Sequence, residues 1–355
     1  MNLRALLDRL DLAWLRLVGA RGPTVAHQRG DIATTYYGLR RGINLANALE
    51  APTEGEWGVV LKREYFAAIQ KAGFSCIRVP ICWSAHAAAE PPYLLDPVFL
   101  KRVDWVVAQA KARQLYAILD FQNYMELFED PAGNEERFLG IWRQIAEYYQ
   151  HEPPTILFEL LNEPHGNLHA AIWNRILARA LAVIRPTNPT RVVVVGPVDW
   201  NDIESLPILL LPEDDPYLVA TVHYYEPKAF THQGAEWVPR SSRWVGTAWE
   251  GADIEKQSVE EALDRACAWG RTHNRPIFLG EFGAYDKAGE DSRVRWTRHV
   301  ARSAEARGMA WAYWEFCAGF GAYDPVAENW RARLLDALIG DSSRGNQSMH
   351  GGPRA

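Results

Sequence analysis

Short runs of apolar and β-branched residues recur along the chain, and most are bounded by turn residues. Such runs are typical of strands that are buried on both faces. The pattern predicts eight strands: Arg41–Leu45, Ser75–Ile81, Tyr116–Asn123, Ile156–Pro164, Val192–Val198, Tyr217–Tyr225, Pro276–Gly283 and Met309–Phe316.

Amphipathic helical patterns follow most of these runs. They cover Leu61–Ala72, Leu100–Arg113, Arg137–Tyr149, Ile172–Ile184, Val259–His273, Arg293–Arg307 and Trp330–Leu338. Only the unit after the fifth strand is weak, because Ile203–Leu206 is too short for a full helix. Strands that alternate with helices indicate parallel pairing through right-handed crossovers. An open doubly wound sheet is the competing arrangement, but no glycine-rich phosphate motif follows a strand, and eight units favour closure. We therefore expect one α/β domain, a (β/α)8 TIM barrel over residues 38–340.

The two ends of the chain differ from this repeat. Residues 1–37 begin with apolar side chains at helical spacing, at Leu3, Leu7, Leu10, Trp14 and Leu17. Asp11 and Arg16 interrupt the apolar run that a secretory signal needs, so we expect a helical extension that packs on the barrel or on a partner. Residues 341–355 are rich in Gly, Ser and Asn without periodicity, and this composition predicts a disordered tail.

Composition excludes several classes of protein. The 38 Lys and Arg against 44 Asp and Glu give a net charge of -6, which argues against nucleic-acid binding. Apolar runs such as Ile208–Leu211 fall far short of the roughly 18 residues that span a bilayer. The four Cys lack zinc or redox spacing, so we expect reduced core residues.

Polar residues concentrate where the predicted strands end. In a barrel of this kind the reactive groups lie at the carboxyl ends of the strands and on the loops that follow. The candidates are Asn47, Glu50, Arg78, Gln122, Asn123, Asn162, Glu163, His223, Tyr225, Glu281, Trp314 and Glu315. Glu163 and Glu281 end strands four and seven in strongly apolar runs, FELLNEP and PIFLGEFG. Hydrolysis of a glycosidic bond uses such a pair of carboxyl groups. The structural alternative is that these two Glu residues are buried as ion-pair partners of an Arg.

The motif set resembles a known enzyme family. The segments RGINLANALE, IRVP, LLNEP, HYY, FLGEFG and AYWEF are similar to those of glycoside hydrolase family 5, the cellulase family, throughout residues 38–340. The similarity is strongest to bacterial endo-β-1,4-glucanases, some of which also cut mannan. NEP and GEFG at this spacing are the specific part of the resemblance.

The resemblance implies roles for individual residues. Glu163 is expected to be the acid/base and Glu281 the nucleophile of a retaining double displacement. Arg78 and Tyr225 are expected to hold Glu281 ionised, with Arg78 also a structural partner for Glu159. By the same pattern Asn162 holds the sugar 2-hydroxyl, and His223 supports the acid/base. His232 and Trp237 resemble substrate contacts.

The chain departs from the family after the third strand. Many relatives carry His there, whereas this chain has Gln122 and Asn123. Amides exchange hydrogen bonds with a sugar but do not titrate near neutral pH. The change therefore bears on substrate preference and turnover, or else it is a neutral replacement that keeps the hydrogen bonds.

Fifteen Trp residues are more than core packing requires. Those at or after strand carboxyl ends are Trp57, Trp83, Trp200, Trp237, Trp244, Trp249 and Trp314. An indole covers the apolar face of a pyranose, so these rings are candidates for the substrate cleft, with Trp314 beside the cleaved bond. The long segment Glu226–Glu255 is expected to wall one side of it. For Trp244 and Trp249, packing inside this segment is the equal alternative. The Trp residues in helical patterns are expected to pack helices onto the barrel.

The same site would also suit a β-mannanase, or an enzyme of the β-glucosidase or exo-glucanase type. Two functions of other kinds are possible as well. A metal hydrolase is suggested only by His165 and His169 at i,i+4 spacing, without an HExxH motif. A barrel that binds carbohydrate without catalysis would keep the aromatic cleft but has no need of Glu163 and Glu281. We expect no cofactor or metal, an oligosaccharide or polysaccharide substrate, no nucleic-acid or membrane partner, and a monomer. Without a signal peptide the expected location is cytoplasmic, although relatives are often secreted.

Overall fold

The computed structural model describes residues 32–340. Most of the predicted N-terminal extension and the whole predicted tail lie outside this range. The strands are β1 (Arg41–Asn44), β2 (Cys76–Ile81), β3 (Tyr116–Phe121), β4 (Ile156–Glu159), β5 (Val193–Val195), β6 (Leu218–His223), β7 (Ile277–Glu281), β8 (Ala310–Tyr313), β9 (Tyr323–Asp324) and β10 (Asn329–Trp330).

Strands β1 to β8 form a closed barrel in sequence order, and every neighbouring pair in it is parallel. The predicted (β/α)8 barrel is confirmed. Several strands end earlier than predicted, and the segments predicted to continue β3 and β4 contain left-handed residues. Asn123 has φ 57° and Glu163 has φ 48°, and neither value fits a strand.

The helices are α1 (Ile32–Gly38), α2 (Arg63–Ala72), α3 (Pro97–Ala112), α4 (Met125–Glu129), α5 (Pro131–Tyr148), α6 (Ala170–Ile184), α7 (Lys228–Thr231), α8 (Asp253–Thr272), α9 (Glu290–Ala306) and α10 (Ala332–Ile339). Several begin earlier than predicted, and in two of them, α3 and α5, an Asp side chain caps a first turn that the apolar pattern does not mark. At α3, for example, Asp96 accepts a hydrogen bond from the Val98 amide at 2.8 Å. Trp330 was expected in the last helix but lies in β10, paired with Tyr323 of β9.

The fifth unit lacks a full helix, as the sequence predicts. After β5 the chain passes through a turn, Val198–Asn201, and a 3₁₀ helix, Ile203–Ile208. Asp199, Trp200 and Asn201 have φ values of 59°, 61° and 58°. Three consecutive left-handed residues that are not glycine are unusual, since each carries a steric cost.

The barrel interior changes from apolar to polar along its axis. Near the amino ends of the strands, the interior side chains form one buried cluster that includes Cys76, Ile118 and Leu157. Two residues further along the same strands stand Arg78, Asp120 and Glu159, all fully buried. The period of two along a strand keeps both sets inside the barrel. The carboxyl ends of the strands therefore hold a buried polar layer.

Helix α1 lies at the opposite end of the barrel. Ile32 and Tyr36 pack against the buried cluster near the amino ends of the strands, and the Tyr36 hydroxyl donates to the Ile277 carbonyl at 2.5 Å. The same hydroxyl accepts from the Ala310 amide at 3.0 Å, so it joins β7 to β8. Among residues 32–340, no helix combines the length and apolarity needed to cross a bilayer.

Candidate active site

Glu163 and Glu281 lie together at the carboxyl end of the barrel. One carboxylate oxygen of each, and a ring nitrogen of His223, all lie within 4.8 Å of one another. Glu281 ends β7 and His223 ends β6, and these two residues are register partners. Glu163 follows β4 by four residues, and its left-handed backbone turns it away from the strand course. Predicted acid/base and predicted nucleophile therefore face each other.

Arg78 contacts carboxylates on several strands. Its Nε and Nη2 atoms donate to Glu159 at 2.6 and 2.9 Å, and its Nη1 atom donates to Glu281 Oε1 at 2.8 Å. Asp120 Oδ2 lies 3.1 Å from Nη2. The two roles expected of Arg78, partner of Glu159 and partner of Glu281, are both present as contacts.

Glu281 is held at both of its oxygens. Oε1 accepts from Arg78, and Oε2 accepts from the Tyr225 hydroxyl at 2.8 Å. Burial raises the pKa of Glu281, while His223, Arg78 and the Tyr225 hydrogen bond act to lower it. The donors therefore stabilise the carboxylate form in a buried position.

Glu163 has a different environment. Its Oε1 atom lies 2.8 Å from His223 Nδ1, and about a quarter of its side chain (24%) stays accessible to solvent. Desolvation raises the pKa of Glu163 to about 7. The group is thus suited to carry a proton near neutral pH, which an acid catalyst must do.

Several buried polar residues of this layer are not among the sequence candidates. Asn44 Oδ1 accepts from Arg78 Nη1 at 3.0 Å, and its Nδ2 donates to the Gly280 and Tyr313 carbonyls at 3.1 and 3.2 Å. Asn201 Nδ2 lies 3.2 Å from His223 Nε2. Asn44 ends β1, so strand-end position could have indicated it, whereas nothing in the sequence signals the turn that positions Asn201.

Asn162 joins the same network. Its Oδ1 atom accepts from Arg78 Nη2 at 2.8 Å. Because this contact occupies the oxygen, the amide presents its NH₂ group as a donor.

Glu50 and Glu315 do not stand free at the rim. Glu50 is buried and accepts from the backbone amides of Asn47 and Ala48, so it stabilises the turn after β1. Glu315 accepts from the amides of Cys317 and Phe320 at 2.8 and 3.0 Å after β8. Burial raises the pKa of each to about 7. The expectation of open polar contacts is corrected here for both acids.

Gln122 and Asn123 lie beside this layer. Gln122 is buried, and its Oε1 atom has no hydrogen-bond partner among the described residues. Asn123 Nδ2 donates to the Glu50 carbonyl at 3.3 Å, which ties the third loop to the first. Gln122 thus has a buried acceptor without a partner in the described structure, while Asn123 has a structural contact.

The aromatic candidates divide into exposed and buried rings. Trp57, Trp200 and Trp237 are 44%, 55% and 58% exposed, and Trp244 and Trp314 are half-buried. Trp83 and Trp249 are fully buried, so the expected place of Trp83 in a cleft is wrong, and Trp249 follows the alternative of packing rather than lining the cleft. Both pack inside the domain, Trp83 against Phe99 and Trp249 against His299.

The segment Glu226–Glu255 is also more structured than predicted. It contains α7, a 3₁₀ turn at Ser241–Trp244 and the start of α8. His232 packs edge-on against Tyr225, at 4.9 Å between ring centroids, and Trp237 packs edge-on against Tyr285 at 4.9 Å. Both predicted contacts therefore lie beside the Tyr225 side of the site.

Three of the Trp residues predicted in helices are buried with a hydrogen-bonded indole. The indole N–H groups of Trp142, Trp173 and Trp296 donate to buried carbonyls of Leu160, Gly196 and Glu226 at 3.0, 2.9 and 3.1 Å. These bonds satisfy the polar atom of rings that are otherwise buried.

The predicted histidine pair forms no metal-binding group in the described part of the chain. There, the grouping of potential ligands is Glu163, His223 and Glu281, and it includes neither His165 nor His169. His165 instead binds the Glu163 carbonyl through Nδ1 at 2.6 Å and stacks on Trp200. These contacts make His165 a structural residue of the loop after β4.

This arrangement can be compared with known proteins. The family model described as cellulase (glycosyl hydrolase family 5) matches residues 41–319. The chain belongs to glycosyl hydrolase family 5. Endoglucanase H of Acetivibrio thermocellus is 37% identical over 274 residues, 77% of this chain and 29% of its own length. Cellulase/esterase CelE of the same organism is 28% identical and is matched over 36% of its length. The chain thus spans about a third of these two curated relatives.

Solved family 5 structures are matched over their full length. Thermotoga maritima Cel5A, solved with mannotriose and with cellobiose, is 46% identical with a TM-score of 0.86, covering 87% of this chain and 100% of that one. The cellulose synthase subunit Z of Clostridioides difficile is 37% identical with a TM-score of 0.82, covering 84% and 99%. The barrel is a cellulase-type glycosidase domain, which hydrolyses glycosidic bonds.

Proposed function

We propose that this domain hydrolyses β-1,4-glucan with retention of configuration, with Glu163 as acid/base and Glu281 as nucleophile. The separation of the two carboxyl groups carries this proposal. Retaining enzymes place them about 5–5.5 Å apart, while inverting enzymes need roughly 6.5–9.5 Å to admit a water. A separation of 4.8 Å or less between an oxygen of Glu163 and an oxygen of Glu281 supports retention.

In the first step, Glu281 attacks the anomeric carbon, and the bond to the leaving oxygen breaks. Glu163 donates its proton to that oxygen, so the leaving sugar departs as a neutral alcohol. The product is a glycosyl ester of Glu281 and an ionised Glu163. Because its pKa is raised, Glu163 holds the proton that it donates in this step. The hydrogen-bond donors to Glu281 keep the nucleophile ionised.

In the second step, water attacks the ester. Esterification removes the negative charge of Glu281, so Glu163 loses a neighbour that raises its pKa. Glu163 then accepts a proton from the water as the oxygen bonds to the anomeric carbon, and Glu281 is released as a carboxylate. Both groups return to their starting protonation states.

Asn162 supplies a contact that strengthens during the reaction. Its oxygen is held by Arg78, so its NH₂ group is oriented to donate to the sugar 2-hydroxyl. Such a bond accelerates the reaction when it is stronger in the transition state than in the ground state.

The substrate class is argued from the rim and from the relatives. Exposed indoles at Trp57 and Trp237 and the half-buried Trp314 suit flat pyranose faces, with His232 beside them. The two curated relatives are named an endoglucanase and a cellulase/esterase, and the solved Cel5A relative was captured with cellobiose and mannotriose. The assay therefore compares cellulose, mixed-linkage glucan, mannan and short oligosaccharides, with β-1,4-glucan expected to be cut fastest.

Glu281→Gln tests the nucleophile. We expect loss of hydrolysis of cello-oligosaccharides, by at least about a thousandfold, with oligosaccharide binding retained in calorimetry. Glu136→Gln, on the exposed surface of α5, is the matched control and should keep full activity. Substantial activity in Glu281→Gln would exclude the assignment, and a wild-type protein that binds but never hydrolyses would be a carbohydrate-binding barrel.

Product stereochemistry tests the mechanism independently. Proton NMR of the first product formed from a β-linked oligosaccharide should show the β-anomer before mutarotation. An α-anomer as first product would mean inversion and would refute the double displacement.

A further inference from the structure

Asn201, in the crossover after β5, contacts the ring of His223 at the carboxyl end of the barrel. It is fully buried, and its Nδ2 atom lies 3.2 Å from His223 Nε2. On the other side of the ring, His223 Nδ1 lies 2.8 Å from Glu163 Oε1. The imidazole therefore connects Asn201 to the predicted acid/base.

The chemistry of these contacts fixes where the imidazole proton is. A neutral imidazole has one N–H donor and one acceptor nitrogen. The Asn201 amide faces the ring with its NH₂ group, which donates, so in this orientation Nε2 is the acceptor and Nδ1 carries the hydrogen. We propose that Asn201 is a positioning residue that holds His223 in the Nδ1–H tautomer, so that His223 always donates a hydrogen bond to Glu163. This inference rests on the proposed role of Glu163.

The surrounding chain is built to hold Asn201 in place. A Cβ atom on Gly196 would stand 2.0 Å from Asn201 Oδ1, so only glycine leaves room for this amide. The left-handed turn is closed by the Ser205 hydroxyl, which donates to Asp199 Oδ2 at 2.7 Å. Backbone strain at such positions persists where the surroundings impose it, often at functional sites.

The charges around the pair define its titration. His223 faces Glu163, Glu281 at 3.5 Å, Arg78 and Glu159, and Glu163 also senses His165 and Lys228. Burial lowers the pKa of His223 to about 4, so the ring is neutral when Glu163 titrates near 7. An N–H donor on a neutral ring stabilises the Glu163 carboxylate without adding a charge.

Asn201→Asp replaces the hydrogen-bond donor at His223 Nε2 by an acceptor, with almost no change in side-chain shape. A carboxylate accepts from Nε2–H, which moves the ring proton away from Nδ1 and leaves a lone pair facing Glu163. The added negative charge also raises the proton affinity of the Glu163 and His223 pair as a whole. The alkaline limb of the kcat/KM profile should move up by about one pH unit.

Ser205→Ala is the matched control. It loosens the same turn without touching the imidazole, so it should lower the melting temperature and leave the alkaline limb in place. If Asn201→Asp moves the limb no further than Ser205→Ala does, the positioning role is refuted and Asn201 is only structural.

The tautomer can be observed in the wild-type protein. NMR of ¹⁵N-histidine-labelled protein, with the His223 signals assigned by their loss in His223→Gln, should show Nδ1 protonated and Nε2 unprotonated at pH 7. A protonated Nε2 would overturn the proposal even if Asn201→Asp did not fold. An alkaline limb that persists in Glu163→Gln would instead point to an error in the assigned role of Glu163, whichever tautomer is found.

Discussion

The buried charges around Arg78 are not balanced one to one. A single guanidinium faces the carboxyl groups of Asp120, Glu159 and Glu281, which would be a surplus of negative charge if all three were ionised. Ionised groups without partners are very unfavourable inside a protein. Burial raises the pKa of Asp120 well above its usual range, although Arg78 opposes this. The carboxylate form of Asp120 is therefore disfavoured, while Arg78 keeps its two hydrogen bonds to Glu159 and its hydrogen bond to Glu281.

Tyr225→Phe removes one of the two donors to Glu281. A hydrogen bond to a charged group contributes roughly 1.5–3 kcal/mol, so kcat/KM should fall at least about tenfold. The pKa of Glu281 should rise, and the acid limb of the pH profile should shift upward. The neighbouring Tyr224 packs on Trp296, outside the barrel interior, so Tyr224→Phe should leave both quantities unchanged. Equal rates for wild type and Tyr225→Phe would remove Tyr225 from the mechanism.

Individual residues were predictable where strand geometry alone decides their position. Glu281, Arg78 and His223 lie in parallel strands, so their convergence at one end follows from the alternation of the sequence. Asn201 was not predictable, because its position depends on three left-handed residues that carry no sequence signal. The turn-stabilising contacts of Glu50 and Glu315 were also missed, since an acid after a strand looks the same whether it faces substrate or backbone amides.

At the scale of elements, helix α1 was placed outside the predicted barrel domain, yet Ile32 and Tyr36 pack against the barrel end. The sequence gives little warning, because seven residues are too few to display a helical period. Elsewhere, the predicted ends of helices and strands differ from the observed ends because periodicity is a weak guide to the ends of an element. Periodicity reports which residues are buried, and capped first turns such as that of α3 are largely exposed.

Tyr36→Phe tests whether α1 closes the barrel. The substitution deletes the hydroxyl that joins the Ile277 carbonyl to the Ala310 amide, leaving both backbone groups without it. Unfolding free energy should fall by about 1–3 kcal/mol, with kcat unchanged because the site lies at the other end. The exposed neighbour Tyr37 gives the control Tyr37→Phe, expected to be neutral in urea unfolding. An unaltered midpoint in Tyr36→Phe would mean that α1 does not contribute to barrel stability.

At the scale of the whole molecule, three acidic groups with raised pKa values lower the free energy of unfolding as pH rises. Burial raises the pKa values of Glu50, Glu163 and Glu315 to about 7, above the value of 4.5 expected in the unfolded chain. Between these values the folded state binds more protons than the unfolded state, so stability falls as pH rises. His223 and His232, whose pKa values burial lowers to about 4, act in the opposite sense between about 4 and 6.5.

Glu163→Gln isolates one of these contributions. The variant cannot ionise, so its stability relative to wild type should increase as pH rises from 4.5 to about 7, and then level off. The gain should reach about 2–3 kcal/mol, allowing for the exposed part of the side chain. Melting temperatures across this range measure it.

Glu236→Gln provides the contrasting case. Glu236 is exposed, and the hydrogen bond from the Tyr285 hydroxyl lowers its pKa, so wild type gains stability with rising pH at this position. The relative stability of Glu236→Gln should therefore drift slightly downward as pH rises. A stability difference for Glu163→Gln that stays constant with pH would mean that Glu163 is not held protonated by the fold.

The left-handed turn after β5 also bears on how this scaffold can be re-engineered. Barrel enzymes are commonly altered by exchanging the loops that follow their strands, on the assumption that scaffold and loops are separable. Here the fifth loop is built around Gly196 and contacts the histidine of the neighbouring strand. A graft at this position would remove Asn201, and with it the contact that orients the His223 ring toward Glu163. The fifth loop therefore has to be transferred together with β6.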